Sequence, residues 1–69
     1  MDVLVPRLRM IRNWHALSQE DLAERANVGR TTIARGERGE SIRPSSVRKL
    51  AHALRVTPRE LQEPLPTQD

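Results

Sequence analysis

Arg30, Thr31, Ala34 and Arg35 recur at i, i+1, i+4 and i+5, a spacing that puts all four on one face of a helix. That face carries two guanidinium groups, each a planar fork of N–H donors suited to flat, electron-rich acceptors. It has no apolar group larger than a methyl. Such a surface is shaped to enter a groove and offers little to pack against a core. Ile33, on the reverse of the same segment, faces inward and anchors it.

Other residues capable of chemistry are few. There is no Cys, which removes disulfides, zinc fingers and thiol catalysis together and suits a reducing cytoplasm. His15 and His52 are isolated, and neither belongs to a metal-ligand spacing. His52 falls on the polar side of its helix, and His15 at a helix end. There is no GxSxG, no phosphate-binding loop and no paired acidic cluster. Ser18, Ser45 and Ser46 occupy helix-start positions and are not nucleophiles. The chain is read as a non-enzyme without a cofactor.

The elements around this face follow from local signals. Ser18 is a good N-cap, with Asp21 three residues on where a capping-box acid belongs. Leu22, Ala23 and Ala26 repeat at helical spacing. Asn27 suits a left-handed turn, Gly29 can cap the next helix, and Arg30 to Arg38 runs helically to Gly39. Ser18 to Gly39 is thus a helix, a tight turn and a second helix.

Upstream, Met1 to Pro6 reads as a loose arm or lead-in. Leu8 and Ile11, with Val5 and His15, mark an inward stripe on a helix over Pro6 to His15. Downstream, Glu40 to Arg43 is a loop and Pro44 opens a fourth helix. Its apolar stripe is Val47, Leu50, Ala51 and Leu54. Thr57-Pro58-Arg59-Glu60 is a second capping box, opening a short helix through Leu61. The remainder, EPLPTQD, cannot continue a helix and is either disordered or docked through Leu65.

No strand-like alternation or internal repeat appears. The expectation is an all-α fold of five helices, with one domain over 1–62 and a Pro-rich tail over 63–69. The expected core is Leu8, Ile11, Leu17, Leu22, Ala26, Val28, Ile33, Val47, Leu50, Ala51, Leu54, Val56 and Leu61.

The net charge is +3, but the basic side is eleven Arg and one Lys. Between Arg30 and Lys49, six basic residues face two acidic ones, which suggests an anionic partner. Composition alone does not separate that reading from a solvated Arg-rich surface. With one Trp and no Tyr or Phe, a base-stacking platform for single strands is not expected. No apolar run approaches the roughly 20 residues of a membrane span. The N-terminal MDVLVPRLRM lacks the order of a signal peptide. The expected location is the cytoplasm.

The run LSQEDLAERANVGRTTIARGERG, followed by RKLAHAL and RVTPRELQ, resembles the lambda-repressor-like helix-turn-helix family of the Cro/C1 or XRE type. The resemblance spans about Leu8 to Gln62. It implies sequence-specific binding of double-stranded DNA by a transcription regulator, a repressor acting as a homodimer, with the third helix (about 29–38) in the major groove. By position it implies base contacts from Arg30, Thr31 and Arg35. Phosphate contacts fall to Gln19, Arg38, Arg43 and Ser45. Arg12 and Glu37 correspond to an ion pair tying helix 3 to helix 1.

The residue types fit these roles. Arg donates two parallel bonds to guanine O6 and N7, and the Thr methyl can meet a thymine methyl. Helix 5 and the tail, with Leu61 and Leu65, are the expected dimer contact. A protein-interaction module of the same fold (an antitoxin, an anti-repressor or an assembly protein) is the alternative. It would carry an acidic, apolar or small outer face instead.

Three positions depart from the family pattern. Asn27 replaces a turn glycine, which its tolerance of positive φ accommodates. Ala16 stands where a C-cap glycine is common. Gly36 stands where the family has a large apolar side chain, and Trp14, two residues after Arg12, is expected to lie over it and fill the space.

Overall fold

The computed structural model describes residues 1–67. Its helices are α1 (Leu8–Trp14), α2 (Gln19–Ala26), α3 (Arg30–Glu37), α4 (Pro44–Leu54) and α5 (Pro58–Gln62). The five-helix all-α architecture matches the expectation. α1 is shorter than the Pro6–His15 span, because Pro6 and Arg7 form a turn ahead of it. Residues 68–69 of the expected tail lie outside the described residues.

Local chemistry sets most of the boundaries. Ser18 Oγ accepts from Asp21 N–H at 2.9 Å, and Asp21 accepts from Ser18 N–H at 3.3 Å, a complete capping box for α2. Thr57 accepts from Glu60 N–H at 3.1 Å. No return bond from Thr57 N–H to the Glu60 carboxylate accompanies it, so that expected box is only half made. Gly29 and Arg43 cap α3 and α4 with extended backbone and no side-chain bond.

Four helices end through a residue of positive φ, and only one of the four is glycine: Ala16 (φ 56°), Asn27 (φ 55°), Gly39 (φ 92°) and Arg55 (φ 58°). After α1, Leu17 N–H reaches Arg12 C=O and Ala16 N–H reaches Asn13 C=O, the paired bonds of a Schellman ending. Ala16 therefore takes the glycine conformation its position demands, and its Cβ costs about 1–2 kcal/mol there.

The core gathers Val5, Leu8, Leu17, Leu22, Ala26, Ile33, Ile42, Val47, Leu50, Ala51, Leu54 and Leu61. Ile11, Val28 and Val56, expected inside, are only partly buried and pack at its edge. Val5 and Ile42, neither in the expected core, come from outside the helices. Val3 and Ile42 exchange backbone hydrogen bonds of 2.9 and 2.8 Å in an isolated antiparallel bridge. The first residues are therefore not a loose arm. The bridge fastens them to the α3–α4 loop and carries Val5 and Ile42 inward.

Val5 and Ile42 also explain Gly36. A Cβ at Gly36 would lie 3.0 Å from Val5 Cγ2, 3.3 Å from Leu8 Cδ2 and 3.7 Å from Ile42 Cδ1. The volume left by the missing side chain is filled from the N-terminal arm, the start of α1 and the α3–α4 loop. The expected Trp14 cover is wrong. Trp14 is 86 % exposed, at a groove it lines with Met10, Ile11, Leu54 and Val56. The tail is not docked through Leu65, which is exposed; it is held instead where Arg7 Nε donates to Pro64 C=O at 2.8 Å.

Candidate nucleic-acid interface

α3 is held from behind at several points. Ile33 has no exposure, Gly36 is buried against Val5 and Leu8, and Glu37 joins the end of the helix to α1 and α2. Glu37 Oε2 accepts from Arg12 Nε at 2.6 Å. Its Oε1 accepts from Arg12 Nη2 at 2.9 Å, Gln19 Nε2 at 3.1 Å and Arg9 Nε at 3.2 Å. Arg12 also donates through Nη1 to Leu17 C=O at 2.8 Å.

The Glu37 side chain is wholly withdrawn from solvent. Burial pushes its carboxyl upward, but the hydrogen bonds from Arg12, Gln19 and Arg9 outweigh this and hold it below the ordinary carboxylate value. The hydrogen bond to Glu37 raises Arg12, against a smaller opposing effect of burial.

With its back fixed, α3 presents Arg30, Thr31 and Arg35 to solvent and leaves Ala34 half-buried. The two guanidinium groups are not equivalent. Arg30 has no ion pair among the described residues. Arg35, 47 % exposed, donates through Nε to Glu40 Oε1 at 3.3 Å. Its terminal Nη1 and Nη2 make no hydrogen bond within the described residues, so the outer edge of the fork stays open.

Arg38 is held more fully, donating from Nε at 3.2 Å and Nη2 at 3.0 Å to Glu40 Oε2. Of the other residues given phosphate roles, Arg43 and Ser45 are exposed at the start of α4, while the Gln19 amide is turned to Glu37. A polar hollow between α3 and α4 is lined by Asp2, Thr32, Arg35, Ile42, Arg43 and Ser46. It brings Arg35 and Arg43 to one site although eight positions separate them in sequence.

Glu40 was not singled out in the sequence. No periodicity marks a loop residue, and only its position two residues after Arg38 could have drawn notice. Arg9, Thr32, Ser46 and Asp2 were missed for the same reason: they join the site through tertiary approach. Of the two leucines expected at a dimer contact, Leu61 has no exposure and belongs to the core; only Leu65 is exposed.

A helix-turn-helix family model matches residues 8–61, which covers all five helices to within one residue. The chain belongs to the helix-turn-helix family of the Cro/C1 type. Among solved structures, this helix-turn-helix protein is similar to the restriction-modification controller protein C.AhdI from Aeromonas hydrophila. The two are 41 % identical over 80 % of this chain and 85 % of that one, with a TM-score of 0.74. It is also similar to the hypothetical transcription factor NHTF from Neisseria. That match is 34 % identical over 84 % of this chain and 66 % of the other, with a TM-score of 0.75. No curated protein matches this helix-turn-helix chain. Family and fold are those of DNA-binding transcription regulators. No described helix is long and apolar enough to cross a membrane.

Proposed function

We propose that this chain is a sequence-specific regulator that lays α3 in the major groove of duplex DNA. The observation that carries the reading is the outer face of α3, where Arg30 and the outer edge of Arg35 project from a helix anchored by Ile33 and Glu37. A rigid anchor matters because bidentate base recognition needs the guanidinium plane aligned with guanine O6 and N7. Thr31, beside Arg30, offers a methyl to a thymine. Arg43 and Ser45 at the start of α4 meet the phosphates that flank the groove, together with Gln19 and Arg38 once these leave their carboxylate partners.

In this reading two copies bind an inverted repeat, their recognition helices about 34 Å apart, one turn of DNA. Occupying the site excludes other proteins from it and represses transcription. A module of this size buries about 600–1,000 Å² against DNA, so pairing two half-sites supplies the affinity one lacks.

Selection of bound sequences from random duplexes tests this reading, followed by the same selection with Arg30→Ala and Arg35→Ala. Each variant is expected to relax one guanine position at a cost of about 1–3 kcal/mol. Equal loss on all sequences would refute base reading by these side chains. Binding insensitive to salt would point to the protein-interaction alternative, because a DNA complex loses affinity with a slope near −0.9 per phosphate neutralised.

A further inference from the structure

Among the described residues, Glu40 is the one side chain that bonds two of the arginines on the α3 side, Arg35 and Arg38. Gly39, at φ 92°, turns the chain at the end of α3, and Glu40 N–H closes on Arg35 C=O at 3.0 Å. This fold-back places the two carboxylate oxygens on different partners, Oε1 on Arg35 Nε and Oε2 on the Nε and Nη2 edge of Arg38. The two engagements have opposite effects. Arg35 is gripped near its stem, so its plane is oriented while Nη1 and Nη2 remain open. Arg38 is gripped along one full edge, Nε with Nη2, an edge that could otherwise take a phosphate.

We propose that Glu40 is a specificity-determining residue: it aims Arg35 for base reading and competes with DNA phosphate for Arg38. The inference rests on the reading of α3 as the recognition helix. A phosphate that takes the Nε and Nη2 edge of Arg38 must displace a carboxylate already in place, and one that takes the other edge meets a guanidinium whose charge Glu40 already offsets, so contacts that carry no sequence information are weakened. Arg35 keeps its outward donors throughout. Glu40 therefore lowers affinity for arbitrary duplex more than for the preferred site, and widens the ratio between them. The grip on both arginines also requires the length of a glutamate. One methylene less withdraws the carboxylate by about 1.5 Å, and it can no longer meet both partners.

The test uses the full chain with Glu40→Ala and Glu40→Asp, fluorescence anisotropy on a labelled duplex of arbitrary sequence, and the same on the duplex chosen by selection. Glu40 is exposed, and melting curves confirm that both variants are folded. Glu40→Ala is expected to bind arbitrary duplex more tightly, with one further phosphate neutralised. Its advantage over wild type then shrinks about 3.5-fold between about 50 and 200 mM salt, the fourfold change raised to the power 0.9. Preference at the base read by Arg35 falls toward that of Arg35→Ala. Glu40→Asp, although still charged, moves in the same direction.

A Glu40→Ala protein with an unchanged ratio and salt slope overturns the proposal. So does a Glu40→Asp protein identical to wild type beside a shifted Glu40→Ala, since the effect would then be one of charge alone. If Arg35→Ala leaves base preference untouched, the recognition-helix reading fails and takes this inference with it. If Arg35→Ala relaxes one base and Glu40→Ala changes nothing, only this inference falls.

Discussion

Arg12 and Glu37, on α1 and α3, meet through two hydrogen bonds of 2.6 and 2.9 Å, with the Glu37 side chain wholly withdrawn from solvent and the Arg12 side chain 12 % exposed. Buried charges hold together at this cost only when every partner is present. Arg12→Ala strands Glu37 on the weaker bonds from Arg9 and Gln19, and is expected to lose about 3–5 kcal/mol. A chain of this length has roughly 3–10 kcal/mol of total stability, so the variant should lose a large share of it and unfold at a much lower urea concentration. Urea titration followed by far-ultraviolet circular dichroism measures the loss. Replacing both partners by methionine should cost less than the sum of the two single changes, because no charge is then left unpaired.

The same carboxylate makes stability depend on pH. Its value is lowered by folding, so the folded chain releases this proton more readily than the unfolded one. The contribution is fully present above the unfolded carboxyl value of about 4.3 and is lost as pH falls from there through the lower folded value. Melting temperatures should stay level between about pH 7 and 5 and then descend. Glu37→Gln should be less stable at neutral pH and show a shallower descent. An undiminished slope in that variant would assign the titration to other carboxylates.

Gly36→Ala sets two effects against each other. Alanine gains about 1 kcal/mol of helix propensity over glycine. Its methyl, however, falls 3.0 Å from Cγ2 of Val5, a buried and stiff β-branched side chain. Overpacking of this kind costs about 1–3 kcal/mol, so a net destabilisation of roughly 1 kcal/mol is expected. Val5→Ala in the same chain should recover part of it, seen as a coupling in a double-mutant cycle of chemical melts.

Ala16→Gly should stabilise the protein. Ala16 holds φ 56° at the end of α1, where a Cβ costs about 1–2 kcal/mol. Glycine removes that strain while making the unfolded chain more flexible. The balance is a gain of up to about 1 kcal/mol, read as a higher urea midpoint at unchanged slope. A lower midpoint would show that the Schellman ending is not strained.

Arg43→Ala should weaken binding to all duplexes alike and reduce the salt slope by about one phosphate, 0.9 in logarithmic units. Arg43 is exposed and lines the hollow it shares with Arg35. A change in the preferred sequence instead would move Arg43 from positioning to base reading.

The sequence was legible where structure is local. Ser18 with Asp21, Asn27 in its left-handed conformation, and Pro44 opening α4 each act within a few residues of themselves, and each is where its chemistry predicts. Periodicity likewise found Leu8, Leu22, Ile33, Leu50, Leu54 and Leu61, all without exposure. What stayed hidden depends on distant partners. Ile42 belongs to no periodic segment and Val5 stands ahead of the helix whose stripe it extends, and the bridge that brings them inward joins positions 3 and 42. Without that bridge in view, Gly36 looked like a vacancy and Trp14 its natural occupant. In the site, the face of α3 could be read from spacing, whereas the hold of Glu40 on Arg35 and Arg38 required the turn at Gly39 to be seen in three dimensions.

Trp14 gives the molecule a built-in optical probe of an unusual kind. It is the sole aromatic side chain, and it stands in water when the chain is folded. Its emission should therefore change little as the protein unfolds, so a fluorescence melt would be nearly blind to folding. A blue shift that grows with protein concentration would instead report that something has come to cover the end of α1.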